Sequence, residues 1–205
     1  MSVGLWLAFV AAAAVIAITP GPGSILVLAT GLRYSYGVVF LVLMGLELAL
    51  LIHLGIVALG LGALLATSSS AFLVMKTIGA AYLVWLGIQK WRAKAEPVDA
   101  SQLRIATNSR LFRQGLLVNL TNPKAVIFIA ALVPQFINAE APQLPQYLII
   151  GATMVGVDVC IMTGYALLAG RFRYWFQNAR ILRMQNRIFG GLFVSAGVLL
   201  AASPR

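Results

Sequence analysis

Five ionisable side chains interrupt long apolar stretches of this sequence: Glu47, His53, Lys76, Lys124 and Asp158. An ionisable group is costly inside an apolar segment, so each is a candidate site for protons or charged solutes. Lys76 lies near enough to the end of its segment to snorkel to the membrane surface. Asp158 could take up and release a proton or bind an ammonium group, and a structural pairing with Lys124 is the alternative. His53 could gain and lose a proton in the physiological range, or stay neutral and hydrogen-bonded inside a helix bundle.

The spacing of these residues separates them into groups. Tyr165 follows Asp158 by seven residues, which places both on one face of a helix. Glu47 and His53 are six residues apart and point to different faces, so they do not form an acid–base pair. Glu47 either faces the pore or lies near the inner boundary of the membrane.

Two motifs rich in proline or polar residues interrupt apolar segments near their middles. The first comprises Thr19, Pro20, Gly21, Pro22 and Gly23, and the second comprises Asn119, Asn122 and Pro123. Proline has no N–H and clashes with the preceding turn, so each motif predicts a broken helix. Matched breaks half a chain apart are typical of the binding site of a transporter built from two repeats. The alternative is that proline is simply common in membrane helices.

A half-helix that begins at such a break predicts a seat for an anion. Its first N–H groups have no partner within the helix, and the positive end of the helix dipole lies there. Lys124 adds a full positive charge directly after the second break. Its amine pairs with an acid, receives the carboxylate of a substrate, or binds unwound main-chain carbonyls in a structural role.

The composition indicates that lipid surrounds these segments. The chain is 61% hydrophobic and 10% charged, whereas a soluble domain carries about 25% charged residues. Only helices and closed barrels satisfy their backbone in lipid, and the alternating pattern of a barrel is absent. We therefore predict an all-α integral membrane protein with six transmembrane helices, of which helices 1 and 4 are broken at the proline motifs. The predicted spans are residues 3–31, 37–66, 70–90, 111–137, 144–169 and 187–203.

The spans form a single transmembrane domain over residues 1–205. Repeat one covers residues 1–91, a basic cytoplasmic linker covers 92–110, and repeat two covers 111–205. Because each repeat contains three spans, an odd number, the two repeats should be inverted relative to each other in the membrane.

Charge in the loops predicts the orientation. Lysine and arginine concentrate in the loops that follow the first, third and fifth spans, and the two other loops contain neither. Cytoplasmic loops carry the excess of positive charge, so both termini should be non-cytoplasmic. The basic loops could also bind anionic lipid. The net charge of +10 does not form the basic face of a nucleic-acid-binding protein. Recurrent glycines in the spans could pack helices within the chain or form a homodimer.

Motifs of soluble enzymes are missing from the sequence. It has no P-loop and no Gly-x-Ser-x-Gly, and one histidine with one cysteine make no metal-binding pattern. We therefore expect no cofactor and no metal. Three other classes stay open. They are a membrane scaffold or lipid-binding protein that uses the basic loops, an integral-membrane enzyme with Asp158, His53 and Lys124 as acid–base groups, and a passive channel, which uphill efflux would exclude.

Longer stretches around the motifs carry a family resemblance. The segment TPGPGSILVLATGLRYSYG resembles the N-terminal signature of the LysE/RhtB amino-acid exporters, and FRQGLLVNLTNPKAVIFIAALVPQF resembles their second signature. The segments IGAAYLVWLGIQKWR and RIFGGLFVSAGVLL are similar to the third and last spans of that family. The likeness covers nearly the whole chain.

The resemblance implies six membrane helices in a bacterial inner membrane and export of amino acids or close derivatives, driven by the proton motive force. It carries over these motif positions: Thr19, Pro20, Gly21, Pro22, Asn119, Asn122, Pro123 and Lys124. Asp158 stands where family members often have an acid. Gly23 replaces an asparagine that is frequent in the family, which removes an amide from the site. Glu47 is atypical, and a cationic substrate is one explanation.

These observations lead to a hypothesis for proton antiport. The carboxylate of the substrate would meet the N–H groups of Gly21–Gly23 and the region of Lys124. Its ammonium group would meet Asp158 or Glu47, and protonation of Asp158 would be coupled to release of the substrate.

Overall fold

A computed structural model describes residues 1–67, 69–94, 107, 110–138, 141–169, 171, 174 and 177–202. All regular elements among these residues are helical, which confirms the all-α prediction. The α-helices are α1 (Val3–Ile18), α2 (Pro22–Gly31), α3 (Tyr36–Thr67), α4 (Ser69–Arg92), α5 (Leu111–Leu120), α6 (Pro123–Leu132), α7 (Gln143–Leu167) and α8 (Ala179–Ala202). A 3₁₀ turn, Val133–Phe136, follows α6.

Both predicted helix breaks are present. The axes of α1 and α2 are bent by 62°, and those of α5 and the segment Pro123–Phe136 by 56°. Pro22 and Pro123 each occupy the first position of the helix after the break. Proline is favoured there because its missing N–H would have no partner in the helix anyway. The motifs therefore end one helix and begin the next within a few residues.

The described residues contain up to four candidate membrane spans. Tyr36–Gly60 and Gln143–Leu167 are long and apolar enough by themselves, with mean hydropathies of 2.4 and 1.7, and each bent pair qualifies as one broken span. Six spans would additionally require α4 and α8, so the six-helix repeat architecture stays a prediction. Most of the predicted linker 92–110 lies outside the described residues.

Helices that are far apart in the sequence pack against each other in pairs. The first half-helix, α1, packs against α7, while α5 packs against α3, and α4 packs against α8. The pair α4–α8 approaches so closely that a Cβ at Gly87 would lie 2.6 Å from the carbonyl oxygen of Gly190. These glycines therefore serve packing within the chain.

The contact between α3 and α5 also depends on glycine. A Cβ at Gly45 would collide with the carbonyl oxygen of Phe112, and a Cβ at Gly115 would collide with the carbonyl oxygen of Val42. Only glycine lets the two backbones come this close. The close approach brings the second helix break, which follows α5, against the middle of α3.

Candidate functional site

A cavity of about 50 Å³ lies where the two helix breaks meet α3 and α7. Its polar lining consists of Ser24, Asn119, Asn122, Lys124 and Asp158. Apolar side chains such as Leu50, Phe128 and Met154 complete its wall. The two breaks, the predicted amine and one predicted acid therefore come together at a single place.

A second cavity, of about 320 Å³, is also lined by residues of both breaks. The break residues that line it are Thr19, Pro20, Gly21, Pro22, Asn122, Pro123 and Lys124. The end of α4 contributes Gln89 and Lys90 to the same wall. Asn122 and Lys124 line both cavities, so they stand between the larger and the smaller one.

The amine of Lys124 binds the C-terminal end of α1. Its Nζ donates hydrogen bonds to the carbonyl oxygens of Ile16 at 3.0 Å and Thr19 at 2.8 Å. Of the three roles considered for this lysine, binding of unwound main-chain carbonyls is the one that these contacts realise. An ammonium group has three N–H donors, so one remains for another acceptor.

Tyr165 supports the same end of α1 from α7. Its hydroxyl donates a 2.7 Å hydrogen bond to the carbonyl oxygen of Ile18. Asp158, on the same helix, lines the smaller cavity instead. One face of α7 therefore contacts the end of α1 through Tyr165 and lines the smaller cavity through Asp158.

We expect Tyr165→Phe to lower the free energy of unfolding by about 1 kcal/mol, since a neutral hydrogen bond contributes roughly that much. In detergent the thermal midpoint should fall by about 2–4 °C, the shift typical of a chain of this size. Tyr147→Phe on the same helix is the matched control, because the buried hydroxyl of Tyr147 has no hydrogen-bonding partner among the described residues. Equal midpoints for the two variants would contradict the role of Tyr165.

The N-terminal end of α2 is only partly open to an anion. The N–H of Gly21 donates to Ser24 Oγ at 2.9 Å, and that hydroxyl donates back to the carbonyl oxygen of Gly21 at 3.0 Å. Pro22 has no N–H to offer. The expected seat over Gly21–Gly23 therefore shifts to the N–H groups of Gly23 and Ser24, which a helix leaves without internal partners and which belong to residues lining the smaller cavity.

The N-terminal end of α6 is capped by its own motif. Asn122 Oδ1 accepts the N–H of Lys124 at 3.1 Å, and the carbonyl oxygen of Asn122 accepts the N–H of Ala125 at the same distance. The expectation of an open anion seat beside Lys124 is corrected here. At the second break, the lysine ammonium still has one N–H donor to spare.

Asn119 ties this cap to α3. Its Nδ2 donates to the carbonyl oxygen of Leu46 at 2.8 Å, and its Oδ1 accepts from Asn122 Nδ2 at 3.2 Å. Both asparagines are buried. A continuous chain of hydrogen bonds therefore runs from the backbone of α3 through two amides to the first turn of α6.

Glu47 lies next to Asp158. Its side chain is only 7% exposed, and its two carboxyl oxygens have no hydrogen-bonding partner among the described residues. The carboxyl groups of Glu47 and Asp158 interact electrostatically across the contact between α3 and α7. Two ionised carboxylates only accept hydrogen bonds and repel each other at short distance. Glu47 does not line the smaller cavity, which Asp158 does line, so its place beside the pathway stays a prediction.

His53 lies beside the second helix break and lines neither the smaller nor the larger cavity. Its Nε2 lies 3.3 Å from the carbonyl oxygen of Leu120, the last residue of α5. Its Nδ1 is buried and has no partner among the described residues. The hydrogen-bonded arrangement inside the bundle matches one of the two roles considered for this histidine.

Sequence reasoning missed Ser24 and the backbone of Ile16. Ser24 stands three residues after the helix cap Gly21, a spacing typical of a capping box, and this signal was open to detection. The carbonyl of Ile16 carries no signal in the sequence, because any residue supplies one. Among the described residues, no group of three or more His, Cys, Asp or Glu side chains could hold a metal ion.

Comparison with known families decides what kind of protein contains this site. The family model described as LysE type translocator matches residues 14–203. The chain belongs to this family. A homoserine/homoserine lactone efflux protein of Salmonella typhimurium is 43% identical to this LysE-type translocator over 199 residues, which cover 97% of the chain and 96% of the relative. A leucine efflux protein of Klebsiella pneumoniae is 28% identical over 201 residues, which cover 96% and 94%. No solved structure matches the chain.

The family assignment confirms the resemblance that the signatures indicated. Relatives of this LysE-type translocator are named as efflux proteins, and the family name describes translocators. The chain is therefore a membrane transporter, and the alternative of an integral-membrane enzyme is wrong.

Proposed function

We propose that this translocator exports amino acids or close derivatives across the bacterial inner membrane by proton antiport. The observation that carries the proposal is that both helix breaks line one small cavity together with an amine and an acid, Lys124 and Asp158. An amino acid at neutral pH carries a carboxylate and an ammonium group, and this wall offers a partner for each.

The carboxylate of the substrate would bind the N–H groups of Gly23 and Ser24 and the remaining N–H of Lys124. A helix N-terminus and a lysine are both favourable neighbours for a carboxylate. The ammonium group would bind Asp158 or Glu47. The 43% identical relative makes homoserine and homoserine lactone the first substrates to test.

A proton shared by Glu47 and Asp158 would provide the coupling. When the ammonium group of a substrate approaches Asp158, it stabilises the second negative charge, and the proton leaves to the cytoplasm. On the outer side a new proton binds the pair and weakens its hold on the substrate. Each cycle would then exchange a proton inward for a substrate outward.

Transport requires the helices around the smaller cavity to separate. Its volume of about 50 Å³ is far below the roughly 300–1,000 Å³ of small-molecule sites, whereas the larger cavity has about 320 Å³. A substrate would enter the larger cavity first. The bent pairs α1–α2 and α5–α6 would then move as the rocking elements.

The helix pairing supports two inverted repeats of three spans. An inverted repeat exchanges helix 1 with helix 4, helix 2 with helix 5 and helix 3 with helix 6. Under this exchange the contact α1–α7 becomes α5–α3, and α4–α8 maps onto itself, as in the packing. Lys90 and Arg92 at the end of α4 favour a cytoplasmic position for that end, with both termini outside and with anionic lipid as a neighbour.

Efflux from preloaded cells tests the function. Cells are loaded with homoserine, homoserine lactone, leucine and a panel of other amino acids, and outward transport is followed with and without an uncoupler. We expect at least one of these solutes to leave against its gradient and the uncoupler to stop this uphill efflux. Uphill efflux that resists the uncoupler would contradict antiport, and a panel without any exported member would contradict the substrate class.

Homoserine lactone gives the same assay a second use, because it has an ammonium group but no free carboxylate. Lys124→Ala should reduce efflux of carboxylate-bearing amino acids much more than efflux of the lactone. Equal losses for both solutes would place the carboxylate elsewhere.

A further inference from the structure

The C-terminal end of α1 receives its cation from another part of the chain. The last turn of α1 contains no basic residue, although the end of a helix carries a partial negative charge and free carbonyl groups. Lys124 fills this place from the first turn of α6, with Nζ 3.0 Å from the carbonyl oxygen of Ile16 and 2.8 Å from that of Thr19.

These two acceptors belong to different cavities. Ile16 lines the smaller cavity and Thr19 lines the larger one, and Lys124 lines both. The ammonium group therefore lies in the partition between them. Gly21 leaves room for it, because a Cβ at this position would lie 3.3 Å from Nζ.

We propose that the carbonyl groups at the end of α1 form a binding site for a primary ammonium ion, which Lys124 occupies as a tethered ligand. By occupying it, Lys124 closes the passage between the two cavities. The site takes a primary ammonium because such a group offers several N–H donors to carbonyl acceptors and brings the charge that the end of a helix favours. This inference goes beyond the proposed function, since it depends neither on the exported solute nor on the driving force.

The proposal explains how a substrate could open its own path. A carboxylate that enters the larger cavity can bind the remaining N–H of Lys124 and compete with the carbonyl groups for the ammonium. Once Nζ leaves α1, the hydroxyl of Tyr165 still holds this helix end through the carbonyl oxygen of Ile18. The partition between the cavities then loses its central contact.

Labelling of a buried thiol measures whether the passage is closed. The exposed Cys160 is first replaced by serine, and Met154→Cys places a thiol on the wall of the smaller cavity, where Met154 is buried. The reagent is methyl methanethiosulfonate, which is small and uncharged, so changes in surface charge do not alter its approach. Purified protein in detergent is labelled over time and analysed by mass spectrometry.

In this background, Lys124→Ala should speed labelling of the introduced thiol by about tenfold or more, a factor that the loss of a hydrogen bond to a charged group permits. Lys90→Ala is the matched control: Lys90 lines the larger cavity, and we expect its removal to leave the labelling rate unchanged. If Lys124→Ala is not monodisperse, Lys124→Met retains the length of the side chain and should give the same acceleration. A rate equal to that of the parent for the folded variant would overturn the proposal.

Chemical rescue tests the ligand class. Ethylammonium added to Lys124→Ala should occupy the vacated place and slow labelling towards the parent rate. Tetramethylammonium at the same concentration cannot donate an N–H and should leave the rate high. Identical effects of the two ions, or no effect of ethylammonium, would show that the end of α1 is not a primary-ammonium site.

Discussion

Replacing Asp158 by asparagine should reduce uphill efflux by about 10- to 100-fold, while the protein remains folded. The side chain keeps its size and its place on the wall of the smaller cavity, but it can no longer take up and release a proton or carry a negative charge for the ammonium group of the substrate. A hydrogen bond to a charged group contributes about 1.5–3 kcal/mol, and each 1.4 kcal/mol corresponds to about a factor of ten. Efflux from preloaded cells at a full pH gradient measures the loss.

Two further measurements separate coupling from folding and from binding. Asp158→Glu retains the carboxyl group and should recover part of the efflux, and the thermal midpoint of both variants in detergent reports whether they fold. If Asp158 acts in coupling alone, the asparagine variant should still allow downhill movement of the substrate when no pH gradient exists. Uphill efflux at the parental level in Asp158→Asn would remove this residue from the coupling mechanism.

The helix breaks were predictable because their cause is local. Pro22 and Pro123 each remove a helix hydrogen bond and clash with the preceding turn, and both stand at the first position of a new helix in the structure. The family was predictable for a similar reason, since the signatures are contiguous in the chain. Both features depend on residues that are neighbours in the sequence.

The partners of the charged residues were not predictable, because they are set by packing over long separations. Lys124 and its acceptor Ile16 are 108 positions apart, and the contact between Glu47 and Asp158 joins α3 to α7. The spacing of Glu47 and His53 showed only that they point to different faces. The packing of the helices decides which face of α3 meets α7. The sequence of α3 alone does not predict that face.

The capping of the two half-helices that follow the breaks was also not predicted from the sequence. Free N–H groups were expected after both breaks, and their self-capping by Ser24 and Asn122 changes which groups an anion can reach. Serine and asparagine bind nearby backbone groups readily, so this competition is local and a stricter reading of the motifs would have included it. The N–H groups of Gly23 and Ser24 and one N–H of Lys124 remain among the donors of a narrower candidate seat.

Gly45→Ala should destabilise the protein by about 1–3 kcal/mol, the usual cost of forcing extra atoms into a packed contact, and should also impair efflux. The added Cβ would collide with the carbonyl oxygen of Phe112, which is backbone and cannot turn aside, so α3 and α5 must separate. Leu46 follows Gly45 directly, and its carbonyl oxygen accepts the 2.8 Å hydrogen bond from Asn119. Separation of the helices therefore weakens the chain of amides that holds the second break.

Gly55→Ala on the same helix is the matched control, because a Cβ at Gly55 meets no atom within 4 Å. It adds the same methyl group to α3 and should leave both the thermal midpoint and efflux unchanged. Gly115→Ala, which acts from the α5 side of the contact, should reproduce the loss seen for Gly45→Ala. If the thermal midpoint of Gly45→Ala equals that of Gly55→Ala, the close approach of α3 and α5 does not hold the site, and the hydrogen bond from Asn119 must survive without it.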